Sequence, residues 1–338
     1  MSKITALTDY KNRFGSKYFD SPYRSGMNKE LLIKSFAAYG YELEFMKLAD
    51  AIPQSERIHN DVIYTSQEDF GYRYKSFIED VVLGLEESGK RVLPGYKFLR
   101  ANNNKVFMEI LRKQALPNDF RNNSKIFGCL EELKSALPDI KYPAVIKTAE
   151  GAGSHGVFKA DTTDELIRIC KRISRTRYFK DELRDLARAK RHEGYQRESL
   201  YRNKFIVQDF IPGLENDWKV LVFYDKYYVL RRKNRPGDFR ASGSGLFTFD
   251  QDVDPDLLNT ANHICKSFNI PMISLDLARS GDMIHLIEMQ FVYFGTTTLE
   301  KSPYYYTLKS DLWEQVHTKS VIEIEYATSI SNYLDNRC

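Results

Sequence analysis

The stretch Tyr142–Ala160, YPAVIKTAEGAGSHGVFKA, constrains the chain most, because an apolar strand reaches Lys147 and runs almost at once into a glycine-rich loop. The loop Gly151-Ala152-Gly153-Ser154-His155-Gly156 has the spacing GxGxxG. A dinucleotide fingerprint, however, opens a helix and is followed by an acid closing the next strand. Here the short, strand-like Val157-Phe158-Lys159-Ala160 comes next, and only then Asp161-Thr162-Thr163-Asp164, which reads as a helix cap. The loop is therefore expected to join two antiparallel strands as a flap. Glycines in such a flap let backbone N–H groups close over phosphate oxygens, and Lys147 adds a point charge for the same oxygens. An ordinary glycine hairpin explains this segment equally well, so the decision rests on the rest of the chain.

With 338 residues, 42% hydrophobic and 28% charged, the chain has an ordinary globular composition and enough length for two or three packed lobes. No apolar run approaches a membrane span, and the opening MSKITALTDYKNRFGSKYF carries charges where a signal peptide needs an apolar segment, so a cytoplasmic location is expected. Cys129, Cys170, Cys265 and Cys338 are scattered without CxxC spacing, against a zinc ribbon or disulfide framework. The six histidines form no HxxxH or HExxH pair. The net charge of +4 is unevenly spread: Lys171–Lys204 holds twelve Lys/Arg against five Asp/Glu.

Residues 1–100 alternate helix and strand patterns. Asn28–Tyr39 and Tyr74–Glu87 read as helices, Tyr41–Lys47, Asp61–Thr65 and Arg91–Leu93 as strands, and a small, mostly parallel sheet follows. After the polar break Ala101–Asn104, Lys105–Lys113 is an amphipathic helix with Lys105 in its first turn, where a cation hints at an anionic ligand. Asn118–Lys125 reads as loop, Glu131–Leu137 as a short helix, Asp164–Ile173 as an amphipathic helix, and Arg175–Arg202 as a charged helical insert. Phe205–Ile211 is a strand; Trp218–Phe223 and Lys226–Arg232 form a hairpin expected to gather Lys219, Arg231 and Arg232. The glycine-rich, basic loop Lys233–Gly245 follows, then a helix over Asp254–Phe268, strands Met272–Ala278 and Met283–Met289 joined by Arg279–Asp282, and a closing helix near Ser320–Leu334.

That last hairpin carries Asp276 and Glu288, twelve residues apart, with Gln290 on the face of Glu288. Two carboxylates and an amide oxygen are hard ligands suited to Mg²⁺ or Mn²⁺ shared with nucleotide phosphates. The acids lie in LDLA and LIEM, apolar settings in which an unpaired charge is costly.

Taken in order, lysine strand, glycine flap, apolar strand, basic loop and acid-x(11)-acid-x-amide resemble the ATP-grasp superfamily, in particular its branch of glutathione synthetases and ribosomal-protein glutamate ligases. The resemblance covers about residues 104–298. It implies a mixed α+β and α/β protein: an N-terminal α/β lobe (1–103), then two α+β subdomains (104–207 and 208–338) that clamp ATP. It implies that Lys105 and Lys147 reach the phosphates while the flap, with Gly151, Gly153, Ser154 and Gly156, closes above them. Gln208-Asp209-Phe210-Ile211 is the implied hinge, the backbone of Asp209 and Phe210 reading adenine and Asp217, or else Glu215, holding the ribose. Arg240, in GDFR at 237–240, would bind the transferring phosphoryl group with Arg232 in support, and Asp276, Glu288 and Gln290 match the metal triad. The sequence departs from the branch at Gln290, where asparagine is usual, and at Phe291–Thr297, FVYFGTT, which lacks a small, proline-containing turn. No family motif transfers to Arg175–Arg202.

The implied activity is Mg-dependent ligation: ATP phosphorylates a carboxylate, and an amine attacks the acylphosphate. Substrates would be small-molecule or peptide carboxylates and amines, anionic ones included, and a homo-oligomer is compatible. Two alternatives keep the fold: a kinase-like phosphotransferase, or a non-catalytic ATP-binding regulator. Nucleic acid is disfavoured as a partner, since the basic stretch interleaves only Tyr178, Phe179, Tyr195 and Tyr201.

Overall fold

The first strand, β1 (Ser2–Thr8), is an element the periodicity argument leaves out, for a physical reason: Ile4, Thr5, Ala6, Leu7 and Thr8 are all buried, so no alternation marks it. A strand covered on both faces reads as a continuous run. The computed structural model describes residues 1–15, 25–52, 55–66, 69–117, 124–151, 156–176, 178–235, 239–240 and 245–336, apart from the Phe70 side chain. These divide into two compact units, residues 1–102 with 214–338, and residues 103–213.

In the first part of unit 1, helix α1 (Lys29–Ala37) starts where the Asn28 side chain accepts from Leu31 N–H. Strand β2 (Tyr41–Lys47), β3 (Asp61–Tyr64), α2 (Arg73–Glu87), β4 (Arg91–Leu93) and α3 (Tyr96–Ala101) follow. The four strands form a parallel sheet in the order β2-β1-β3-β4, as the alternation of helix and strand predicts.

Unit 2 opens with α4 (Lys105–Ala115), capped by Asn104 Oδ1 on Phe107 N–H. Next come β5 (Ser124–Phe127), α5 (Leu130–Ser135), β6 (Ala144–Thr148), β7 (Val157–Ala160), α6 (Thr163–Ser174), α7 (Phe179–Arg191) and β8 (Phe205–Asp209). The sheet is antiparallel in the order β5-β8-β6-β7, and β6 and β7 flank the glycine loop as expected. Strand β5 corrects the loop expected over Asn118–Lys125: 118–123 lie outside the described residues, and Ser124 and Lys125 pair with Gln208 and Val207. Among the described residues the insert is helical only over α7; residues 192–204 return without regular structure.

Unit 1 resumes with β9 (Asn216–Phe223), β10 (Lys226–Lys233), β11 (Phe247–Thr248), α8 (Pro255–Phe268), β12 (Met272–Ser280), β13 (Met283–Gln290), α9 (Thr297–Lys301), β14 (Tyr305–Lys309), β15 (Leu312–Val316) and α10 (Ile322–Asp335). The second sheet runs β13-β12-β9-β10-β14-β15, with β11 on β10, and all its pairs are antiparallel. Helix α10 packs on α1 and β9, and its Ile322, Tyr326 and Ile330 share one core with Ile4 and Ala6 of β1 and Leu221 and Phe223 of β9. Residues 1–102 and 214–338 are thus one packed body. Cys170 and Cys265 are core residues, and burial pushes both thiols up to about 12. Among the described residues no helix is long and apolar enough to cross a membrane.

Candidate functional site

In unit 1, four neighbouring strands direct one row of charged groups to a single face of the sheet. Across an antiparallel pair, opposed residues share a face, as do residues two apart on one strand. Glu288 stands opposite Asp276, Asp276 opposite Lys219, and Arg232 opposite Asp217, while Gln290 stands opposite Ser274. The hairpin differs from the expected four-residue turn over Arg279–Asp282. The ladder continues to Ser280 and Met283, leaving Gly281 and Asp282 as a two-residue turn, with Gly281 at φ +58°. A bulge then shifts the register by one, from Leu277–Leu286 to Asp276–Glu288. Bulges re-aim side chains in this way.

Arg232 grips Asp217 through two bonds, Nε to Oδ1 at 2.6 Å and Nη2 to Oδ2 at 2.7 Å, and its Nη2 lies 2.9 Å from Asp276 Oδ2. Lys219 Nζ is 3.5 Å from Asp276 Oδ1. Burial alone would raise both acids. At Asp276 the cations Arg232 and Lys219 outweigh it and hold the carboxyl below the usual range. At Asp217 burial, reinforced by the neighbouring Asp276 charge, prevails over Arg232 and the proton affinity rises. Two carboxylates sharing one guanidinium cannot both be equally satisfied, and Asp276, which also has Lys219, holds its charge more firmly. Arg231, expected beside Lys219 and Arg232, is corrected: strand alternation turns it to the other face, where Nη1 meets Asp250 at 3.3 Å.

The donors on this face suit a hard divalent cation. Asp276, Glu288 and Gln290 offer oxygen only, and the buried Ser274 Oγ, opposite Gln290, has no hydrogen-bond partner among the described residues. Among the described residues no group of three His, Cys, Asp or Glu is placed to hold a metal, so such a site needs the Gln290 amide. The segment after Gln290, which departs from the family turn, turns into the core: Phe291 is buried with its ring 4.9 Å from Phe98 and 5.1 Å from Phe268. Beside it a cavity of about 40 Å³ is lined by Tyr64, Ser66 and Tyr326, whose hydroxyls have no partner among the described residues. That space is large enough to admit water.

In unit 2, Lys105 and Lys147 are 5% and 6% exposed. Lys105 Nζ donates to Gly151 O at 2.7 Å and its N–H to Ala149 O at 2.8 Å, tying the start of α4 to the flap's entry. Gly151 has φ +117° and accepts only glycine readily. Gly156 is required by space: a Cβ there would lie 1.9 Å from Thr148 Oγ1. Gly153 and Ser154 lie outside the described residues.

The Gln208 side chain donates to Glu109 Oε1 at 3.1 Å, one bond of a buried set in which Glu109 Oε2 also takes Arg112 Nε at 2.9 Å, Arg112 Nη2 at 2.6 Å and the Ser124 hydroxyl. Sequence reading missed Glu109, Arg112 and Ser124, whose only signal is a pair of opposite charges three apart on a helix. In unit 1 it placed Lys219 beside Arg231 and Arg232 without giving it a role at the acids, although Asp217 and Lys219 two apart in an alternating strand point to one face. Asp209 ends β8, the Phe210 N–H lies 3.4 Å from Pro143 O, and Lys159 Nζ sits 5.1 Å from the Phe210 ring centre. Arg240 lies 5.6 Å from the ring of its neighbour Phe239.

No family model and no curated protein matches the sequence. Solved structures do. A RimK domain ATP-grasp protein from Sphaerobacter thermophilus aligns over 98% of this chain and 99% of its own, with TM-score 0.53 and 15% identity. The D-alanine–D-alanine ligase from Bacillus anthracis complexed with ATP aligns over 99% and 100%, with TM-score 0.55 and 12% identity. A RiPP-associated ATP-grasp ligase from Chryseobacterium gregarium, in complex with ADP and a leader and core peptide, aligns over 100% and 98%, with TM-score 0.54 and 13% identity. Likeness at this identity shows the fold: the chain has the ATP-grasp fold.

Proposed function

We propose that the chain is an ATP-dependent ligase that joins a carboxylate to an amine through an acylphosphate. The observation that carries this reading is the opposed pair Asp276 and Glu288, set on one sheet face with Arg232 and Lys219, in an ATP-grasp fold. Two of the solved structures similar to it are ligases, one with ATP and one with ADP and peptides.

In this reading Lys105 and Lys147, both buried, meet phosphate oxygens, and the flap entered at Gly151 and left at Gly156 closes on them. The backbone of Asp209 and Phe210 reads the adenine edge. Asp276, Glu288 and the Gln290 amide hold Mg²⁺ or Mn²⁺, which when bound screens the negative oxygens of the transferring phosphoryl group. Arg232 keeps Asp276 ionised and aimed, and Arg240 takes the phosphoryl oxygens through two parallel bonds. Asp217, expected on the ribose, is gripped by Arg232 and would have to exchange that partner to serve the sugar. Residues 104–207 and 208–338 act as the two ATP-binding subdomains and 1–103 as the lobe before them, and the ATP supply places the reaction in the cytoplasm. No protein nucleophile is needed: orientation and charge screening supply the rate.

A screen of carboxylate–amine pairs with ATP and Mg²⁺, read as phosphate release and by mass spectrometry of the product, tests this. Release that requires both partners and yields an amide is the expected outcome. A phosphorylated hydroxyl compound, or tight ATP binding without turnover on every pair, overturns it. The variant Glu288→Gln is expected to keep ATP affinity and lose turnover; near-normal turnover would remove Glu288 from the metal site.

A further inference from the structure

Helix α7 wears its apolar stripe on the outside. Phe179, Leu183 and Leu186 follow one another at i, i+4 and i+7 and are 73%, 50% and 40% exposed, and the preceding Tyr178 is 66% exposed. A helix of a globular domain normally turns such a stripe to the core. Here the inward residue is instead Asp185, buried and held by Tyr195 Oη at 2.8 Å and Arg197 Nε at 3.1 Å. Lys180, Arg184, Arg188 and Arg191 occupy a separate side of the helix, and Lys190 continues the row of Phe179, Leu183 and Leu186. Two of its acids are paired, Glu182 with Arg175 at 3.5 Å and Asp181 with Arg184 at 3.3 Å. Among the described residues Lys180, Arg188, Lys190 and Arg191 form no ion pair.

Arg175 joins this helix to a second basic surface. Arg168, Lys171 and Arg172 on one face of α6, Arg175 just past its end, and Tyr201 line an open groove of about 630 Å³ in which Asp164 is the single acid. Lys171 has no ion pair among the described residues, and Arg172 lies 4.8 Å from the Phe158 ring centre.

We infer that α7 and the adjoining face of α6 dock on an anionic lipid bilayer, with Phe179, Leu183 and Leu186 entering the interface and the cations meeting lipid phosphates and carboxylates. A segregated helix with aromatic and leucine residues on one side and lysine and arginine on another lies in a headgroup layer. Juxtaposed basic residues add attraction to anionic leaflets. A second copy of this chain is a poorer occupant, because the stretch Lys171–Lys204, with twelve basic and five acidic residues, would meet its own charge. The stripe is a ridge on a single helix, which suits a fluid interface better than a peptide that needs a groove to sit in.

The test uses the full chain with vesicles of phosphatidylcholine alone and of phosphatidylcholine mixed with phosphatidylserine. Co-sedimentation with the mixed vesicles and not with the neutral ones is expected, weakening as salt is raised. The triple variant Phe179→Ser/Leu183→Ser/Leu186→Ser and the pair Lys171→Glu/Arg172→Glu should each lower binding by about tenfold or more. Both change exposed side chains, and unchanged melting curves confirm intact folding. Absence of binding to the mixed vesicles, or binding that neither variant alters, overturns the inference. So does a dimer in sedimentation velocity that the triple variant dissolves, or capture of poly-glutamate in place of vesicles.

Discussion

Asp276 on β12 and Glu288 on β13 face one another because Ile287 is an extra residue in the ladder between them. In a regular ladder continuing from the Ser280–Met283 end, Ile287 would oppose Asp276 and Glu288 would point to the other face of the sheet. The separation of the two acids is thus productive only with the bulge. Deleting Ile287 should leave a regular hairpin that still opposes Asp276 to Glu288. We expect it to retain Mn²⁺ binding in the presence of ATP, followed by the metal's EPR signal. The exchange Ile287→Glu/Glu288→Ile moves the acid to the bulge position and should abolish that signal. Equal binding by all three proteins would remove the bulge from the site.

Arg232 should hold the unit 1 cluster together. Removing the guanidinium as Arg232→Met leaves two buried carboxylates with Lys219 alone, and breaking a buried pair in this way costs about 3–5 kcal/mol. Urea unfolding checks it. The double variant Arg232→Met/Asp217→Asn should recover part of the loss, since one of the unpartnered charges is gone.

Glu109 plays the matching part in unit 2. Glu109→Ala strips Arg112, Ser124 and Gln208 of a shared acceptor and leaves a buried guanidinium without its carboxylate, again at about 3–5 kcal/mol. Because Ser124 is on β5 and Gln208 on β8, hydrogen exchange should accelerate on both strands together. Exchange unaltered on β8 would contradict the shared role.

The flap exit is tested by Gly156→Ala. Its new methyl meets the Thr148 hydroxyl at 1.9 Å before relaxation, and overpacking of this kind costs about 1–3 kcal/mol. Pairing it with Thr148→Ala should restore the melting temperature, whereas failure to restore it would point to backbone strain instead.

Arg240→Lys addresses the chemical step. A lysine cannot reproduce two parallel bonds to a phosphoryl group, so single-turnover phosphate transfer should fall by about 10²-fold, roughly 3 kcal/mol, with ATP affinity little changed. Equal rates would place Arg240 outside the chemistry.

Local patterns in the sequence determined much of this protein. Periodicity marked α1, α2, α4, α6, α8 and α10, glycine spacing marked the β6–β7 connection, and LDLA and LIEM located the acids, because amphipathic repeats and turn chemistry act over a few residues. Where local signals fail, tertiary structure decided. Strand β1 is buried on both faces and has no alternation; β14 and β15 exist because they extend the sheet from β10. Whether Asp276 meets Arg232, Lys219 and Glu288 depends on pairing among four strands far apart in the chain, and a single bulge fixes which face Glu288 takes. The orientation of α7 is the same kind of fact: the sequence marks only a charged helical insert, whereas in the structure Asp185 is buried, accepting from Tyr195 and Arg197, and Phe179, Leu183 and Leu186 are exposed.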